Sequence, residues 1–132
     1  MTRLINFGLG EICDRLSILA LKVLYGEQRG KDVAHFKREQ AALLPKLLAN
    51  DRGKWIECYA ELAAVNAALW HCEDHMRGRR DAITREKDEA VVNEHRYQAG
   101  VLGLQIATLN DRRAALVDAI NEFVGDKVQE KV

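Results

Sequence analysis

Residues 54–78 read KWIECYAELAAVNAALWHCEDHMRG, and their pattern is the clearest evidence for a helical fold. Side chains of mixed polarity recur in it at spacings of three and four residues, the spacing along one face of an α-helix: Tyr59, Leu62, Asn66, Leu69, Glu73 and Arg77. Half of this face is polar. Such a helix either satisfies its polar groups against other polar groups inside a bundle or lines a polar site.

Two other stretches show the same mixture of apolar and polar residues on one helical face. The first, near the start of the chain, consists of Glu11, Asp14, Ile18, Leu21 and Tyr25, and the second, near the end, of Ile106, Leu109, Asn110, Arg113 and Leu116. Together the three stretches predict helices that meet at polar inner positions.

Length and composition indicate one helical domain spanning residues 1–132. The chain is 48% hydrophobic and 30% charged and has a single proline, which excludes disordered and collagenous classes. Its 20 basic residues balance its 20 acidic residues, so a general nucleic-acid binder is not expected. The longest apolar run, residues 16–25, is interrupted by Lys22, and we predict no membrane span.

The three cysteines indicate a reducing compartment. Cys13, Cys58 and Cys72 are odd in number and lack the pair spacing of a zinc site. We therefore expect reduced thiols in a cytoplasmic protein.

Helix signals divide the chain into about four segments. A first helix is predicted over residues 10–28, and a second begins near Lys31 or Asp32 and is bent or divided at Pro45. Residues 50–53 read NDRG, a turn, and a third helix follows over residues 54–78.

The sequence also predicts where the third helix ends and how long the fourth helix is. Residues 78–81 are expected to form a break, with Asp81 as the N-cap of a fourth helix over residues 82–124. A helix of that length would outrun the bundle, so it either breaks near Gly100 or pairs with a second subunit. The predicted fold is an all-α, antiparallel helical bundle of about four helices with a long last helix.

Carboxylates on three helices suggest a metal site. Glu11 and Asp14 are three residues apart on one helical face, and Glu73 with Asp74 can complete a set of oxygen ligands for Mg²⁺. Asn110 and Asp111 of the fourth helix join this set if the three helices are neighbours.

The competing interpretation of the same residues is structural. In it Glu11 or Asp14 pairs with Arg77 or Arg113, because a buried charge is costly unless it is paired. Asn66 and Asn110 then complete the network. We prefer this interpretation, in which no cofactor is needed.

Two further clusters are predicted to face solvent. His71 and His75 are four residues apart and would need a third ligand such as His95 to hold a metal. Four arginines near one end of the bundle could hold a phosphate but have the pattern of a solvated helix terminus, with Arg77 alone turned inward: Arg77, Arg79, Arg80 and Arg85.

Three separated motifs make the chain resemble a bacterial family of unknown function. The first motif is GEICDRLSIL at residues 10–19 and the second is LWHCEDHMR at residues 69–77. The third begins with NDRRA at residues 110–114 and ends with Ile120 and Asn121, and a looser terminal element matches Glu130 and Lys131. The family has an aromatic residue after that lysine, where this chain has Val132.

The resemblance implies a helical fold but no activity. The chain is also similar to a second helical family that shares the LWxxED core. Members of the first family tend to accompany glycosyltransferase and cell-surface polysaccharide genes, which implies an accessory role there. The motifs fall on the polar positions that helical periodicity selects: Glu11, Asp14, Asn66, Glu73, Asp74, Arg77, Asn110 and Arg113.

Two functional hypotheses follow. The first is a non-catalytic bundle with a buried polar network, dimeric through residues 84–98 or bound to a protein partner; it predicts that Glu73→Gln or Arg113→Met lowers the melting temperature. The second is a magnesium-dependent hydrolase or a phosphate or nucleotide-sugar binding protein. In it Glu11, Asp14, Glu73 and Asp74 hold the metal.

Overall fold

The computed structural model describes residues 8–50 and 53–125, and these residues form four helices and no strand. The helices are α1 (Leu9–Gln28), α2 (Ala34–Leu48), α3 (Trp55–Arg85) and α4 (Glu89–Phe123). The predicted all-α bundle with a long last helix is therefore confirmed for the described residues.

Side-chain pairs show that successive helices run in opposite directions. Glu27 near the end of α1 contacts Lys37 in the first turn of α2, whereas Arg15, closer to the start of α1, contacts Glu39 further along α2. Asp14 of α1 contacts Arg113 near the end of α4. The order is thus up, down, up, down, the simplest topology for four helices with short connections.

The core lies where α1 faces α3 and α4. Leu19, Leu62 and Ile120 are completely buried there, and Leu16 and Leu69 are nearly so. Burial of each such side chain contributes about 1.5–3 kcal/mol to folding, compared with about 0.5–1.5 kcal/mol for a typical hydrogen bond. In the described chain the backbone of α2 approaches only that of α1 closely, so a gap remains between α2 and α4.

The predicted first helix is confirmed, whereas the division of the second at Pro45 is wrong. Helix α2 continues through Pro45 to Leu48, and the Ala49 N–H donates to the Pro45 carbonyl at 3.0 Å. Proline lacks only its own N–H donor, and in the last turn this loss does not end the helix. Of the predicted turn, residues 51–52 lie outside the described residues, while Gly53 has a φ of 102°.

The predicted break at residues 78–81 is also wrong. Helix α3 passes through Gly78 and Asp81 to Arg85, and α4 starts at Glu89 instead of residue 82. The N-cap is Asp88, whose carboxylate accepts from the Ala90 N–H at 3.0 Å. Packing of α3 along α4 outweighs the cost of about 1 kcal/mol for one glycine inside a helix.

Helices α3 and α4 form a hairpin that is longer than the rest of the bundle. Their 31 and 35 residues span about 46 and 52 Å, whereas the 20 residues of α1 span about 30 Å. Helix α4 does not break at Gly100. Arg29, the C-cap of α1, pairs with Asp74 of α3, and we call the part of the hairpin nearer to its connection, residues 76–98, the distal hairpin.

No helix in the described parts of the chain is both long enough and apolar enough to cross a membrane.

Candidate functional site

The carboxylate of Asp14 lies at the junction of α1, α3 and α4. Arg113 donates to both of its oxygens, from Nε to Oδ1 at 2.8 Å and from Nη2 to Oδ2 at 2.6 Å. Asn66 Nδ2 donates to Oδ1 at 2.9 Å. With only 18% of its side chain exposed, Asp14 depends on these donors instead of water for its hydrogen bonds.

Asn66 joins α3 to α1 through two acceptors. Besides Asp14, its amide donates to Ser17 Oγ at 2.6 Å, and the Ser17 hydroxyl donates to the Asp14 carbonyl at 2.8 Å. Asn66 and Ser17 are both buried. A buried amide without partners would be destabilising, so these bonds explain why a polar residue is tolerated in the core.

Asn121 makes the corresponding connection between α4 and the first turn of α1. Its Oδ1 accepts from the Gly10 N–H at 2.7 Å, and its Nδ2 donates to Glu11 Oε1 at 2.9 Å. The Gly10 N–H is one of the first-turn donors that have no partner within the helix. Asn121 therefore caps α1 from another helix.

Gly10 is required by the closeness of α1 to α4. A Cβ atom at this position would lie 2.2 Å from the carbonyl oxygen of Val117. That distance is far inside van der Waals contact, so any larger side chain would separate the helices. We call the residues of these two neighbouring hydrogen-bonded groups the polar centre: Asp14, Ser17, Asn66 and Arg113 in the first, and Gly10, Glu11 and Asn121 in the second.

Burial and charge shift the pKa values of groups in and beside the polar centre. The hydrogen bonds that Arg113 makes with Asp14 raise its pKa, and the charges of Asp14 and Glu73 add to this. Burial, assisted by the Asp14 charge, raises the pKa of Cys13 to about 12. Cys13 is thus a neutral thiol of the core and not a nucleophile.

A second bidentate ion pair joins α1 to α2. Arg15 donates to Glu39 Oε2 from Nε at 2.6 Å and to Oε1 from Nη2 at 2.8 Å. These hydrogen bonds lower the pKa of Glu39 and raise that of Arg15. Because both side chains are about two-fifths exposed, water weakens the pair more than it weakens the pair at Asp14.

A cavity of about 440 Å³ opens between the two ion pairs, in the gap between α2 and α4. Its walls combine charged and aliphatic side chains: Glu11, Ile12, Asp14, Arg15, Ile18, Glu39, Leu43 and Arg113. Both guanidinium groups in its wall are already bound to carboxylates. Glu11, with one amide donor, is the least compensated charge facing the cavity.

The structure brings four of the eight predicted site residues together. Glu11, Asp14, Asn66 and Arg113 lie together, and Asn110 is exposed at the rim of a neighbouring cavity of about 420 Å³ that Glu11, Asp14 and Arg113 also line. Glu73 is exposed, and it acts on Arg113 only through its charge.

Asp74 and Arg77 form a separate surface pair. Arg77 Nη2 donates to Asp74 Oδ1 at 2.6 Å, and Arg29 Nη2 lies 3.9 Å from Oδ2. The hydrogen bond from Arg77 lowers the pKa of Asp74. Of the two predicted arginine partners of Asp14, the structure therefore uses Arg113 and not Arg77.

The four carboxylates predicted to bind Mg²⁺ are not brought into one ligand set. Within residues 8–50 and 53–125 no three His, Cys, Asp or Glu side chains are grouped closely enough to hold a metal ion. The histidines are likewise separate. His71 and His75 are exposed, His71 Nε2 lies 3.3 Å from the Tyr25 hydroxyl, and His95 contacts Arg79.

Sequence reasoning missed Ser17 and Asn121 as site residues. Ser17 lies three residues after Asp14, on the same helical face, and this spacing was a usable signal. Asn121 belongs to the third motif, eight residues after Arg113, which also places it on the same side of α4. Neither spacing reveals that Asn121 bonds the backbone of Gly10 across the bundle.

Comparison with known proteins returns no match: no family model, no curated protein and no solved structure is similar to this chain. The resemblance to the bacterial family stays a prediction.

Proposed function

We propose that this chain is a non-catalytic helical bundle that acts as a protein-interaction or assembly module. In this proposal the polar centre is structural. It holds α1 against α3 and α4, and the hairpin of α3 and α4 carries the surface that other proteins bind.

The proposal rests on one observation: the polar groups of Asp14 and Asn121 are hydrogen-bonded to other groups of the polar centre. Both oxygens of Asp14 accept from Arg113, and both polar ends of the Asn121 amide are bonded. A catalytic or metal-binding carboxylate needs an oxygen directed at its substrate or ion. Asp14 directs its oxygens at a guanidinium and an amide of its own chain.

The positions of the first and third motifs support the same proposal. Gly10, Glu11 and Asp14 of the first motif meet Arg113 and Asn121 of the third in the polar centre. These contacts join α1 to α4. The free thiols of Cys13, Cys58 and Cys72 agree with a reducing, cytoplasmic location, which is part of the proposal.

The cavity beside Glu11 favours the second hypothesis, a magnesium-dependent hydrolase or a phosphate or nucleotide-sugar binding protein. Its volume of about 440 Å³ suits a small ligand. Its two arginines, however, are each engaged by a carboxylate with two hydrogen bonds, and a phosphate would have to displace these carboxylates. We therefore keep this hypothesis as the alternative.

The melting temperature of the Asp14→Asn variant distinguishes the proposed structural role from the metal-dependent alternative. If the polar centre is structural, the variant melts below the parent after EDTA treatment, because Arg113 loses its anionic partner. If Asp14 is a metal ligand, neutralising it relieves repulsion from Glu11, and the metal-free variant melts at or above the parent.

A titration of the EDTA-treated parent with Mg²⁺ and then Mn²⁺ completes the test. A ligand that binds only the folded state raises the melting temperature. We expect no rise with either ion. A saturable rise that Asp14→Asn abolishes would overturn the proposal and support the metal-dependent alternative.

A further inference from the structure

We propose that a cavity at the junction of α1 and α2 binds a nucleoside phosphate, with the planar base against aromatic side chains and the phosphate against lysine and arginine. This inference goes beyond the proposed function, because it assigns a small ligand to a part of the bundle that the polar centre does not reach.

The cavity, which we call the α1–α2 cavity, has a volume of about 380 Å³. It lies between the end of α1, the start of α2 and Trp70 of α3, just before the distal hairpin begins. It shares no lining residue with the cavity of about 440 Å³ at the polar centre. Its size suits a ligand as large as a mononucleotide. Its lining is mainly aromatic and cationic: Lys22, Tyr25, Gly26, Arg29, Lys31, Asp32, Val33, His35, Phe36 and Trp70.

Three aromatic side chains line the α1–α2 cavity without belonging to the hydrophobic core. Tyr25, Phe36 and Trp70 are each half-buried. The indole of Trp70 stacks on the ring of Tyr25, with ring centres 5.6 Å apart and 18° between the planes. Trp70 is part of the second motif, and the polar centre gives it no role. Aromatic side chains at a cavity wall offer a planar ligand a surface for stacking.

The charge of the α1–α2 cavity is positive, although the net charge of the chain is zero. Lys22, Arg29 and Lys31 line it, and Asp32 is the single acidic residue among the lining residues. Within residues 8–50 and 53–125, neither lysine forms an ion pair. Arg29 lies 3.9 Å from Asp74, a loose contact that leaves its donors available to a ligand. Guanidinium and ammonium groups are the side chains that bind phosphate most strongly.

Backbone hydrogen bonds fix the shape of the α1–α2 cavity. Helix α1 ends in a Schellman motif, in which Gly30 has a φ of 69° and donates to the Glu27 carbonyl at 3.0 Å. The Lys31 N–H donates to the Gly26 carbonyl at 2.9 Å. A Cβ atom on Gly26 would lie 2.6 Å from Val33 Cγ1, so glycine permits the close approach of the two helices. Because the connection already has a defined conformation, binding does not require it to be ordered.

The electrostatics of a helix end explain only part of this arrangement. Arg29 and Lys31 lie at the end of α1, where cations interact favourably with the helix dipole. Lys22 lies within α1, and its Nζ is 5.2 Å from the centre of the Phe36 ring. A cation and an aromatic ring are thus side by side in the cavity wall. An inorganic anion would use only the cations and an uncharged aromatic compound only the rings, whereas a nucleoside phosphate uses both.

Isothermal titration calorimetry of the full chain tests the inference, with ADP and UDP as probes. The buffer contains EDTA, so that no metal ion bridges nucleotide and protein. Pyrophosphate provides the charge without a ring, and adenosine and uridine provide the ring without the charge. We expect ADP or UDP to bind at least about tenfold more tightly than pyrophosphate and than its own nucleoside. Pyrophosphate or a nucleoside that binds as tightly as both nucleotides overturns the inference, and so does the absence of binding up to about 5 mM nucleotide.

Two variants test the two parts of the site. Lys31→Met removes one cation, and Phe36→Leu removes one ring but keeps an apolar side chain. We expect each to weaken nucleotide binding at least about fivefold. Lys31 is exposed, and its side chain makes no hydrogen bond or ion pair with another described residue, so this variant keeps the fold even if Phe36→Leu does not. Nucleotide binding by Lys31→Met at the affinity of the parent overturns the inference.

Lys46→Met is the matched control for charge. Lys46 is exposed near the other end of α2, and the same substitution there should leave the affinity for nucleotide unchanged. If Lys46→Met weakens binding as much as Lys31→Met, net charge and not the α1–α2 cavity controls binding, and the inference is wrong.

Arg15→Met separates the inference from the hypotheses about the polar centre. Arg15 lines the cavity at the polar centre and not the α1–α2 cavity. Loss of nucleotide binding in Arg15→Met but not in Lys31→Met would place the ligand at the polar centre, which overturns the inference and supports the alternative to the proposed function. Loss in Lys31→Met but not in Arg15→Met supports the inference, and the melting temperature of Asp14→Asn then decides the proposed function independently.

Discussion

Replacing Arg113 by methionine should destabilise the fold through the loss of one charge. Methionine keeps an unbranched stem of similar reach, so most of the aliphatic packing survives. The Asp14 carboxylate, 18% exposed, would retain only the Asn66 amide as a side-chain donor. The variant therefore isolates the value of the ion pair at the polar centre.

The size of the effect follows from burial. Exposed ion pairs contribute about 0–1 kcal/mol, whereas removing one partner of a buried pair costs about 3–5 kcal/mol. Arg113 is 34% exposed and its partner Asp14 is 18% exposed, so the pair lies between these limits. We expect a loss of about 2 kcal/mol in the free energy of unfolding, which lowers the melting temperature of a chain of this size by about 7 °C.

Urea and thermal unfolding followed by circular dichroism measure the change, with Arg112→Met as the matched control. Arg112 is 53% exposed and pairs with Glu61 on the surface, so the same substitution there should cost at most about 1 kcal/mol. Glu73→Gln, which sequence reasoning expected to be destabilising, should be neutral because Glu73 is exposed. If Arg113→Met melted with the parent or with Arg112→Met, the structural role of the polar centre would be refuted.

Three further predictions concern other sites. Gly10→Ala should cost about 2–3 kcal/mol by separating α1 from α4, whereas Gly78→Ala, with open space around it, should gain up to about 1 kcal/mol; urea unfolding measures both. The stabilisation by Glu39, at most about 1 kcal/mol, should be present above pH 4.5, the ordinary value, and be lost as the pH falls through its lowered pKa. The stability difference between the parent and Glu39→Gln should then close on acidification, and a constant difference would contradict this. In the native protein at pH 8, a thiol reagent followed by mass spectrometry should label Cys72 and leave Cys13, with its pKa of about 12, unmodified.

The sequence patterns that mark helix boundaries were not equally reliable. Periodicity placed α1 within one residue of its observed start, and it detected the polar faces of α1, α3 and α4. Gly78 and Asp81 suggested a break that does not exist, because a glycine and a capping residue are weak signals beside long-range packing. Asp88, an equally good cap, is the residue that the fold uses.

For the site, periodicity identified residues but not partners. Asp14 and Arg113 are 99 positions apart, and the sequence offered Arg77 as an equal candidate. Glu73 and Asp74 follow Asn66 by seven and eight residues, yet Glu73 is exposed and Asp74 pairs with Arg77 and Arg29 instead of joining the polar centre. Helical spacing shows only roughly which side of a helix a residue lies on. Which residue of another helix it contacts depends on where the three helices cross.

The sequence by itself determined that this protein is a helical bundle and that polar residues enter its core, because helical periodicity and the near absence of proline are local properties of the chain. The three-dimensional arrangement of the helices was needed to see that Arg113 binds Asp14, that Asn121 caps α1 through Gly10, and that the hairpin extends beyond the bundle. These features depend on the distance and crossing of helices far apart in the chain. Such geometry is set by the packing of the whole core and not by any one segment.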